Sequence, residues 1–460
     1  MNGKELLLRA LRRERTPRPA WVPFVGIHGG QLLGVAADAY LQSRDQIAAG
    51  IGRAIELYKP DGIPVVFDLQ VEAEILGCEL RWSGESPPSV VTHPLDGGAL
   101  DALPPFDPAK GRFPLILSAL DRLRQDYGEH VAFYGLITGP FTLALHLMGN
   151  NLFLDMFDRE DYVKSVLTYC AEVGQRAAAA YLDHGADVIA VVDPMTSQIS
   201  TAHFQTFVTP YLNQVFDHIH AQQGLASLFV CGDATRNLEA MAQTRCDNIS
   251  IDENISLEHL KELGERYQKS IGGNLKLTVS LLLGSEEDCK LDAIRCIKAA
   301  GGSVGFVLSP GCDIPWGVPE RNLQAVATML LDEYQREIAE RTISLQQQDL
   351  FEEIALPDYN KEPAVHVDII TLDSTSCAPC QYMLEAARQA AARLDSPVVI
   401  TEHKIKTREG LGVMTKLGVR NIPTICIDGH ARFVSILPDQ NVLFEAIQTR
   451  AVQKKEMSAS

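Results

Sequence analysis

The chain has 460 residues, of which 46% are hydrophobic and 22% charged, and its formal net charge is −18. This length exceeds the roughly 100–200 residues of one ordinary domain, so we expect one large and one small domain. The negative charge repels phosphate backbones and argues against nucleic acid as a partner. No run approaches the roughly 18 apolar residues of a membrane span, and the first residues lack a secretory signal pattern, so we expect no membrane partner and a cytoplasmic location.

Eight apolar, β-rich stretches between residues 21 and 310 each end in a polar or glycine position, and a helical pattern follows each of them. The stretches are WVPFVGI, GIPVVFD, HVAFYGLIT, ADVIAVVD, ASLFVC, NISID, KSIGGN and SVGFVLS. Strand then helix, repeated eight times, predicts an α/β fold, the (β/α)8 TIM barrel, over residues 1–341. In such barrels the loops after the strands converge on one mouth, where the chemistry takes place.

Polar and thiol side chains stand at these predicted strand ends. They are His28, Asp68, Thr138, Asp193, Cys231, Asp233, Asp252, Asn274, Cys312 and Asp313. Cys231 follows the fifth strand and Cys312 the eighth, so we expect the two thiols to face each other over one pocket. Zinc favours thiolate ligands, but a catalytic zinc site uses three protein ligands, so this pair is one ligand short. The alternative is that Cys231 is simply a small packed side chain.

A second domain is predicted near the C-terminus. Residues 342–362 are polar and acidic, contain Pro357 and are followed directly by Pro363, which is typical of a linker. Residues 363–452 follow in the order βαβαββα, with Cys377 and Cys380 as a CxxC motif between the first strand and the first helix, which is typical of a thioredoxin-like redox domain. Such folds carry a cis proline opposite the two cysteines, and Pro423 in NIPT is the candidate. The alternative is a degenerate domain kept for docking.

Residues 1–340 resemble the uroporphyrinogen decarboxylase superfamily, and within it the cobalamin-dependent methyltransferase branch. The stretches that carry the resemblance include VPFVGIHGGQLLG, GLITGPFTLALHLMG, FVCGDATRNLEAM and GFVLSPGCDIPWGVPERNLQAV. In methylcobamide:coenzyme M methyltransferases of that branch, a His-x-Cys motif after the fifth strand and a cysteine in a later Pro-Gly-Cys loop hold zinc. The two cysteines match Cys231 and Cys312.

The histidine of that motif is missing, because its position holds Phe229, whose side chain has no lone pair to donate. His28 is the leading substitute as a third zinc ligand. Further candidates are the carboxylates Asp233, Glu72 and Glu74.

The resemblance implies a methyltransferase that moves a methyl group between a methyl-cobamide, free or on a corrinoid protein, and a small thiol or similar acceptor. Zinc would deprotonate the acceptor thiol. Asp68, Asp193 and Asn274 would position the thiol or the edge of the cobamide, although an aspartate before proline, such as Asp193, also serves simply to fix a turn.

Two alternative functions stay open at this stage. One is a decarboxylase of a tetrapyrrole, because the resemblance places Asp68 where true uroporphyrinogen decarboxylases contact the pyrrole nitrogens. Those enzymes also hold substrate carboxylates with an arginine-rich segment, which here reads FVGIHGGQL without arginine, so an acidic mouth would repel a polycarboxylate. The other is a non-catalytic protein that senses cobamide or redox state.

The resemblance to redox domains gives the CxxC segment three possible tasks. It would reduce a disulfide form of the acceptor, keep Cys231 and Cys312 reduced, or dock a corrinoid protein or its activator.

Overall fold

The computed structural model describes residues 1–302, 304–342, 354–375, 377–394, 396–419 and 421–459. The chain folds into two compact units, Met1–Leu345 and Gln346–Ser460. Each unit has its own hydrophobic core. The predicted linker, residues 342–362, lies partly outside the described residues, and its described part from 354 to 362 holds no helix or strand.

The first unit is a (β/α)8 barrel, as predicted. Its strands, in chain order, are β1 Ala20–Trp21, β2 Gly62–Pro64, β3 Leu80–Arg81, β4 Ser89–Val90, β5 Ala132–Thr138, β6 Val188–Val192, β7 Leu225–Val230, β8 Asn248–Ile251, β9 Ser270–Leu275 and β10 Phe306–Pro310. Eight of them form a parallel sheet in the order β1-β10-β9-β8-β7-β6-β5-β2, while β3 and β4 pair antiparallel outside it. The Asp61 amide donates to the Trp21 carbonyl at 2.9 Å and joins the two edges of the eight-stranded sheet.

Helices follow the barrel strands along the chain. They are α1 Gly3–Leu11, α2 His28–Gln31, α3 Ala37–Leu41, α4 Arg44–Tyr58, α5 Val71–Ile75, α6 Phe113–Tyr127, α7 Pro140–Met148, α8 Asn151–Asp158, α9 Glu160–Asp183, α10 Thr201–Phe207, α11 Thr209–Ala221, α12 Leu238–Ala242, α13 Leu257–Tyr267, α14 Glu286–Ala300, α15 Glu320–Leu331 and α16 Glu333–Thr342. Short 3-10 segments at Leu100–Ala102, Pro194–Gln198 and Thr235–Asn237 and a π-helical segment at Leu277–Leu282 complete the unit.

The sequence pattern explains why these elements form. Strands β5 and β6, AFYGLIT and VIAVV, are buried at every position because helices cover the outside of the barrel and side chains fill its inside. Helix α14 begins with a capping box, in which Ser285 and Asp288 each accept a hydrogen bond from the backbone amide of the other. Strand β1 is shorter than predicted because Pro23 has no N–H with which to continue the ladder.

Helix α1 closes the N-terminal end of the barrel. Leu6, Leu7 and Leu11 on one face of α1 are buried in the same core cluster as the side chains of the barrel interior. A Cβ on Gly62, at the start of β2, would lie 2.3 Å from the Leu7 Cδ2, so a larger residue there would displace the Leu7 side chain of α1. The N-terminal end is therefore filled, and the chemistry is left to the opposite mouth.

The second unit has the predicted βαβαββα order. Its elements are β11 Val365–Thr371, α17 Ala378–Ala391, β12 Val398–Lys404, α18 Arg408–Lys416, β13 Thr424–Ile427, β14 His430–Val434 and α19 Gln440–Ala459. The sheet order is β12-β11-β13-β14, with β12 parallel to β11 and the other two pairs antiparallel. The Ile422–Pro423 peptide bond is cis, as the sequence predicts.

The last helix runs past residue 452, where the predicted domain ends. The Lys454 ammonium is buried, lies 2.9 Å from an Asp428 carboxylate oxygen, and donates to the carbonyls of Glu362 at 3.0 Å and Ala364 at 2.6 Å. This buried cation explains why α19 continues beyond the predicted boundary.

Within the described ranges, none of the helices combines the length and the apolar character that crossing a membrane requires.

Candidate active site

The fold brings Cys231 and Cys312 together at the C-terminal mouth of the barrel. Their sulfur atoms are 2.8 Å apart although the residues are 81 positions apart in the chain. Cys231 directly follows β7, and Cys312 comes two residues after the end of β10. Both side chains are partly exposed and pack on the barrel core. The sequence predicted that these thiols would face each other over one pocket, and the structure places them in contact.

Backbone hydrogen bonds fix the loop that carries Cys312. The Gly311 amide donates to the Leu275 carbonyl at 3.0 Å, and Asp313 Oδ1 accepts from the Gly26 amide at 2.9 Å. The loop is thus tied to the end of β9 on one side and to the loop after β1 on the other. A Cβ on Gly311 would lie 2.6 Å from the Glu253 amide nitrogen, so only glycine fits this close approach.

The loop that carries Cys231 is tied to the next strand. The Gly232 amide donates to Asp252 Oδ2 at 3.0 Å, just beyond the end of β8. Gly232 has a φ of 86°, in the left-handed region where glycine carries no Cβ penalty. Both sulfurs are therefore held on short, constrained loops and not on long mobile ones.

Three aromatic rings belong to the core cluster against which the two thiols pack. Phe229 is 1% exposed, and its ring centroid is 4.9 Å from that of Phe24 and 6.0 Å from that of Phe67. The residue at the family's histidine position is thus part of the packed core. It forms an apolar floor to the mouth instead of supplying a nitrogen donor.

The environment of the Cys231 thiol favours its neutral form. The hydrogen bond with Cys312 is the largest cause that raises the pKa of the Cys231 thiol well above its ordinary value, followed by burial and by the charges of Cys312, Asp252 and Asp313. A thiolate forms here only when a positive charge or a reaction partner compensates the negative surroundings.

The predicted zinc ion does not find a complete ligand set among the described residues. His28 is fully buried and its Nε2 lies 2.7 Å from the Tyr58 hydroxyl, while burial lowers its pKa to about 4. In the described part of the chain, no three histidine, cysteine or carboxylate side chains are grouped so as to hold a metal ion. The structure therefore supplies Cys231 and Cys312 as two sulfur donors and does not add His28 to them.

Asp193, predicted to position the substrate, holds the start of helix α7. Its carboxylate accepts hydrogen bonds from the amides of Phe141 and Thr142 and from the Thr142 hydroxyl. It is completely buried, and burial raises its pKa to about 6. A Cβ on Gly139 would lie 2.3 Å from the Asp193 Cβ, so the two strand ends meet closely. The carboxylate thus bonds to the start of α7, and the predicted role of Asp193 toward substrate stays a prediction.

Asn274 is also engaged in the scaffold. It is fully buried, and its side-chain amide donates to the carbonyls of Asp252 at 3.1 Å and Ile255 at 2.7 Å. These bonds tie the end of β9 to the loop after β8. The predicted role of Asn274 toward substrate stays a prediction.

Asp68 forms a buried ion pair that the sequence did not reveal. Its Oδ2 accepts from Arg112 at 2.6 Å, and its Oδ1 accepts from the Gln70 amide at 2.9 Å. Arg112 also donates to Glu74 at 2.7 Å, and the Trp82 ring lies 4.8 Å from its guanidinium carbon. Arg112 stands 44 positions from Asp68 in a loop before α6, so no local spacing signals the pair. Removing one partner of such a pair leaves a buried charge uncompensated.

Glu72 and Thr138 connect the loop after β2 to the end of β5. The Thr138 hydroxyl is 2.7 Å from the Leu69 carbonyl and 2.8 Å from Glu72 Oε2, and the Thr138 amide donates to Glu72 Oε1 at 3.1 Å. A hydroxyl has one proton and donates to only one acceptor. Both contacts are hydrogen bonds only when Glu72 is protonated and donates to Thr138. Burial, the dominant cause, raises the pKa of Glu72 to about 7, in agreement with this proton count.

A (β/α)8 barrel with two thiols in contact at its mouth defines an enzyme that carries its chemistry on the loops after the strands. The chain belongs to the uroporphyrinogen decarboxylase (URO-D) family, which matches residues 2–331.

Relatives and a solved structure identify the branch. The chain is 29% identical over 329 residues to the methylcobamide:CoM methyltransferase MtbA of Methanosarcina mazei, covering 70% of this chain and 95% of that one. It is 26% identical over 337 residues to a uroporphyrinogen decarboxylase of a Synechococcus species, covering 70% and 94%. The solved structure of a methyltransferase from Methanosarcina mazei superposes with a TM-score of 0.65 at 25% identity, covering 71% of this chain and 98% of that one.

These similarities confirm the predicted superfamily and its methyltransferase branch. The family match covers only the barrel unit, because it stops at residue 331. The identity of the second unit as a redox domain therefore stays a prediction.

The proton held by Glu72 leads to a pH-dependent stability. A carboxyl whose pKa rises on folding stabilises the folded chain fully below its ordinary value of 4.5, and that contribution is lost as pH rises through about 7. Glu72→Gln keeps an acceptor for the Thr138 amide and an N–H donor for its hydroxyl but does not titrate. We expect the free energy of unfolding of the unsubstituted chain to fall by on the order of 3 kcal/mol more than that of Glu72→Gln across this pH window.

Tryptophan fluorescence in a denaturant titration measures this difference for the barrel alone, because the three tryptophans are Trp21, Trp82 and Trp316. Glu262→Gln, at an exposed carboxyl on α13, is the control and should follow the unsubstituted chain. Parallel pH profiles for Glu72→Gln and the unsubstituted chain would contradict the assignment of the proton.

Proposed function

We propose that this chain is a corrinoid-dependent methyltransferase that moves a methyl group between a methyl-cobamide and a thiol or similar acceptor at the mouth of its barrel. One observation carries the proposal. Two strand-end thiols meet at 2.8 Å in a chain that is 29% identical over 329 residues to a methylcobamide:CoM methyltransferase. The methyl-cobamide, free or on a corrinoid protein, and the acceptor are the partners that follow from this proposal, and a cytoplasmic location stays a prediction.

The chemistry at such a mouth is a nucleophilic displacement. The acceptor sulfur forms a bond to the methyl carbon, the cobalt–carbon bond breaks with both electrons left on cobalt, and the proton of the acceptor thiol is released. The floor formed by Phe24, Phe67 and Phe229 keeps water from competing with the acceptor. Asp68, Asp193 and Asn274 support this reaction indirectly, since their hydrogen bonds fix the loops around the mouth.

The tetrapyrrole decarboxylase alternative has less support from the site. The Asp68 carboxylate already accepts from Arg112 and from the Gln70 amide, so pyrrole N–H groups would have to share its oxygens with these donors. Arg112 is buried and donates to both Asp68 and Glu74, so the positive charge that it could offer a substrate carboxylate is already shared by two carboxylates of the chain. Methyl transfer, in contrast, does not require Asp68 or Arg112 to bind the substrate directly.

Methyl transfer from methylcobalamin tests the proposal directly. We expect the cobalt absorption spectrum to change when the chain is mixed with methylcobalamin and one of a panel of small thiols that includes coenzyme M. Cys231→Ser and Cys312→Ser should each slow transfer by roughly a hundredfold or more, because each removes a sulfur at the reaction centre.

Cys246→Ser is the matched control for the methyl-transfer assay, since Cys246 is buried just before β8, at the opposite end of the barrel, and should keep the full rate. Full transfer by both mouth variants, or release of carbon dioxide from uroporphyrinogen by the unsubstituted chain, would contradict the proposal.

Only the sulfurs of Cys231 and Cys312 would hold zinc in this proposal, because the described residues do not complete its ligand set. Residues 229 and 231 lie on the same face of their strand, so a histidine at 229 would point toward the same mouth as Cys231. We expect Phe229→His to bind zinc at least about tenfold more tightly than the unsubstituted chain, measured by competition with a chelating dye.

The matched control for zinc binding is Phe229→Leu, which loosens the same aromatic packing without adding a donor. Equal zinc affinity of Phe229→His and the unsubstituted chain would show that the missing histidine is not what limits the site.

For the second unit we propose a thioredoxin-like dithiol redox domain. Cys377 and Cys380 are joined by a disulfide at the start of α17, next in sequence to β11. Cys377 is partly exposed, whereas Cys380 is fully buried and its sulfur accepts from the Leu372 amide at 3.3 Å. This asymmetry suits an outer sulfur that reacts with a partner and an inner sulfur that resolves the mixed disulfide. The cis proline Pro423 supports the same proposal.

The task we favour for this domain is to keep a thiol reduced, either on the acceptor or at Cys231 and Cys312. We expect Cys380→Ser to accumulate a mixed disulfide with a small disulfide substrate through Cys377, whereas Cys377→Ser accumulates none because Cys380 is buried. Intact mass measures both. A Cys377→Ser/Cys380→Ser double variant that keeps full methyl transfer without added reductant would rule out the reducing tasks and leave docking of a corrinoid protein.

A further inference from the structure

The separation of the Cys231 and Cys312 sulfurs fits a covalent pair better than a metal pair. Two sulfurs bound to one tetrahedral zinc ion at about 2.3 Å each lie about 3.8 Å apart. Two sulfurs in a disulfide lie about 2.05 Å apart. The observed 2.8 Å is closer to the second value than to the first.

The surroundings of the pair agree with this comparison. Phe229 occupies the place from which a third donor is expected, and its ring is packed between Phe24 and Phe67. His28 is engaged with the Tyr58 hydroxyl. Among the described residues, each of the two sulfurs therefore contacts the other, and no complete metal site surrounds them.

Access distinguishes this pair from the other free cysteines. Cys231 and Cys312 are partly exposed. The remaining free cysteines are buried, namely Cys78, Cys170, Cys246, Cys289, Cys296 and Cys426. A dissolved oxidant therefore reaches the mouth pair first.

We infer that Cys231 and Cys312 form a reversible disulfide across the mouth of the barrel, with a small-molecule disulfide as the oxidant. One cysteine sulfur attacks the oxidant, forms a mixed disulfide and releases one thiol; the other sulfur then displaces the second thiol. Two cysteine protons and two electrons pass to the oxidant, which leaves as two thiols. A dithiol reverses the reaction.

The consequence for catalysis rests on the proposed function, whereas the disulfide itself does not. The bond would link the loops after β7 and β10 across the barrel and withdraw both sulfurs from the reaction centre. Methyl transfer would then stop in the oxidised chain and return on reduction.

Peptide mapping after oxidation tests the inference without any methyl-transfer assay. The experiment uses the full chain with Cys377→Ser and Cys380→Ser, so that the CxxC motif of the second unit contributes no thiols. This variant is incubated in its folded state with oxidised glutathione. We expect the loss of two free thiols per chain and a peptide in which Cys231 is linked to Cys312. Dithiothreitol should restore both thiols.

Single variants make the result specific. In the same background, Cys231→Ser and Cys312→Ser should each form no internal link and should instead carry one glutathione on the remaining cysteine, while Cys246→Ser should form the link as before. The inference is overturned if Cys231 and Cys312 both stay free in the folded chain, or if each carries its own glutathione. Mapping of the unsubstituted chain gives the same answer if a variant fails to fold.

Discussion

Closure of eight parallel strands into a ring is the constraint on which the site depends. Because all strands point the same way, every loop that follows a strand opens at one end of the barrel, and residues distant in the chain meet there. Cys231 and Cys312 are 81 positions apart and reach contact in this way. Helix α1 fills the other end, so the mouth is the one end left open for a substrate.

The buried polar groups around the mouth mainly serve its construction. Asp193 holds the start of α7, Asn274 ties β9 to the loop after β8, and Asp68 is neutralised by Arg112. Burial raises the pKa of Glu72 to about 7 because it makes the ionised form costly. Polar side chains at the ends of barrel strands can therefore serve the scaffold, and the proposed chemistry is assigned to the two sulfurs instead.

Thiol chemistry recurs in both units of the chain. The first presents two sulfurs on separate loops, and the second presents Cys377 and Cys380 at one helix start. In each pair the two sulfurs are in contact or bonded, and at least one of the two residues is partly exposed. A chain with a thiol-dependent centre that oxidises has a physical reason to carry a dithiol of its own, because a disulfide is reduced by exchange with another thiol pair.

The sequence by itself determined the periodic elements and the residues at their ends. The strand and helix patterns predicted the barrel and the βαβαββα order of the second unit, since these signals depend on neighbouring residues along the chain. Because the loops after barrel strands converge on one mouth, the sequence also predicted that Cys231 and Cys312 face each other. Only the tertiary structure decided what each buried polar group binds. Arg112 carries no local signal that links it to Asp68, and His28 meets Tyr58 instead of the thiols. Such pairings depend on which side chains packing brings within about 3 Å, and that distance is set by the whole fold and not by spacing in the chain.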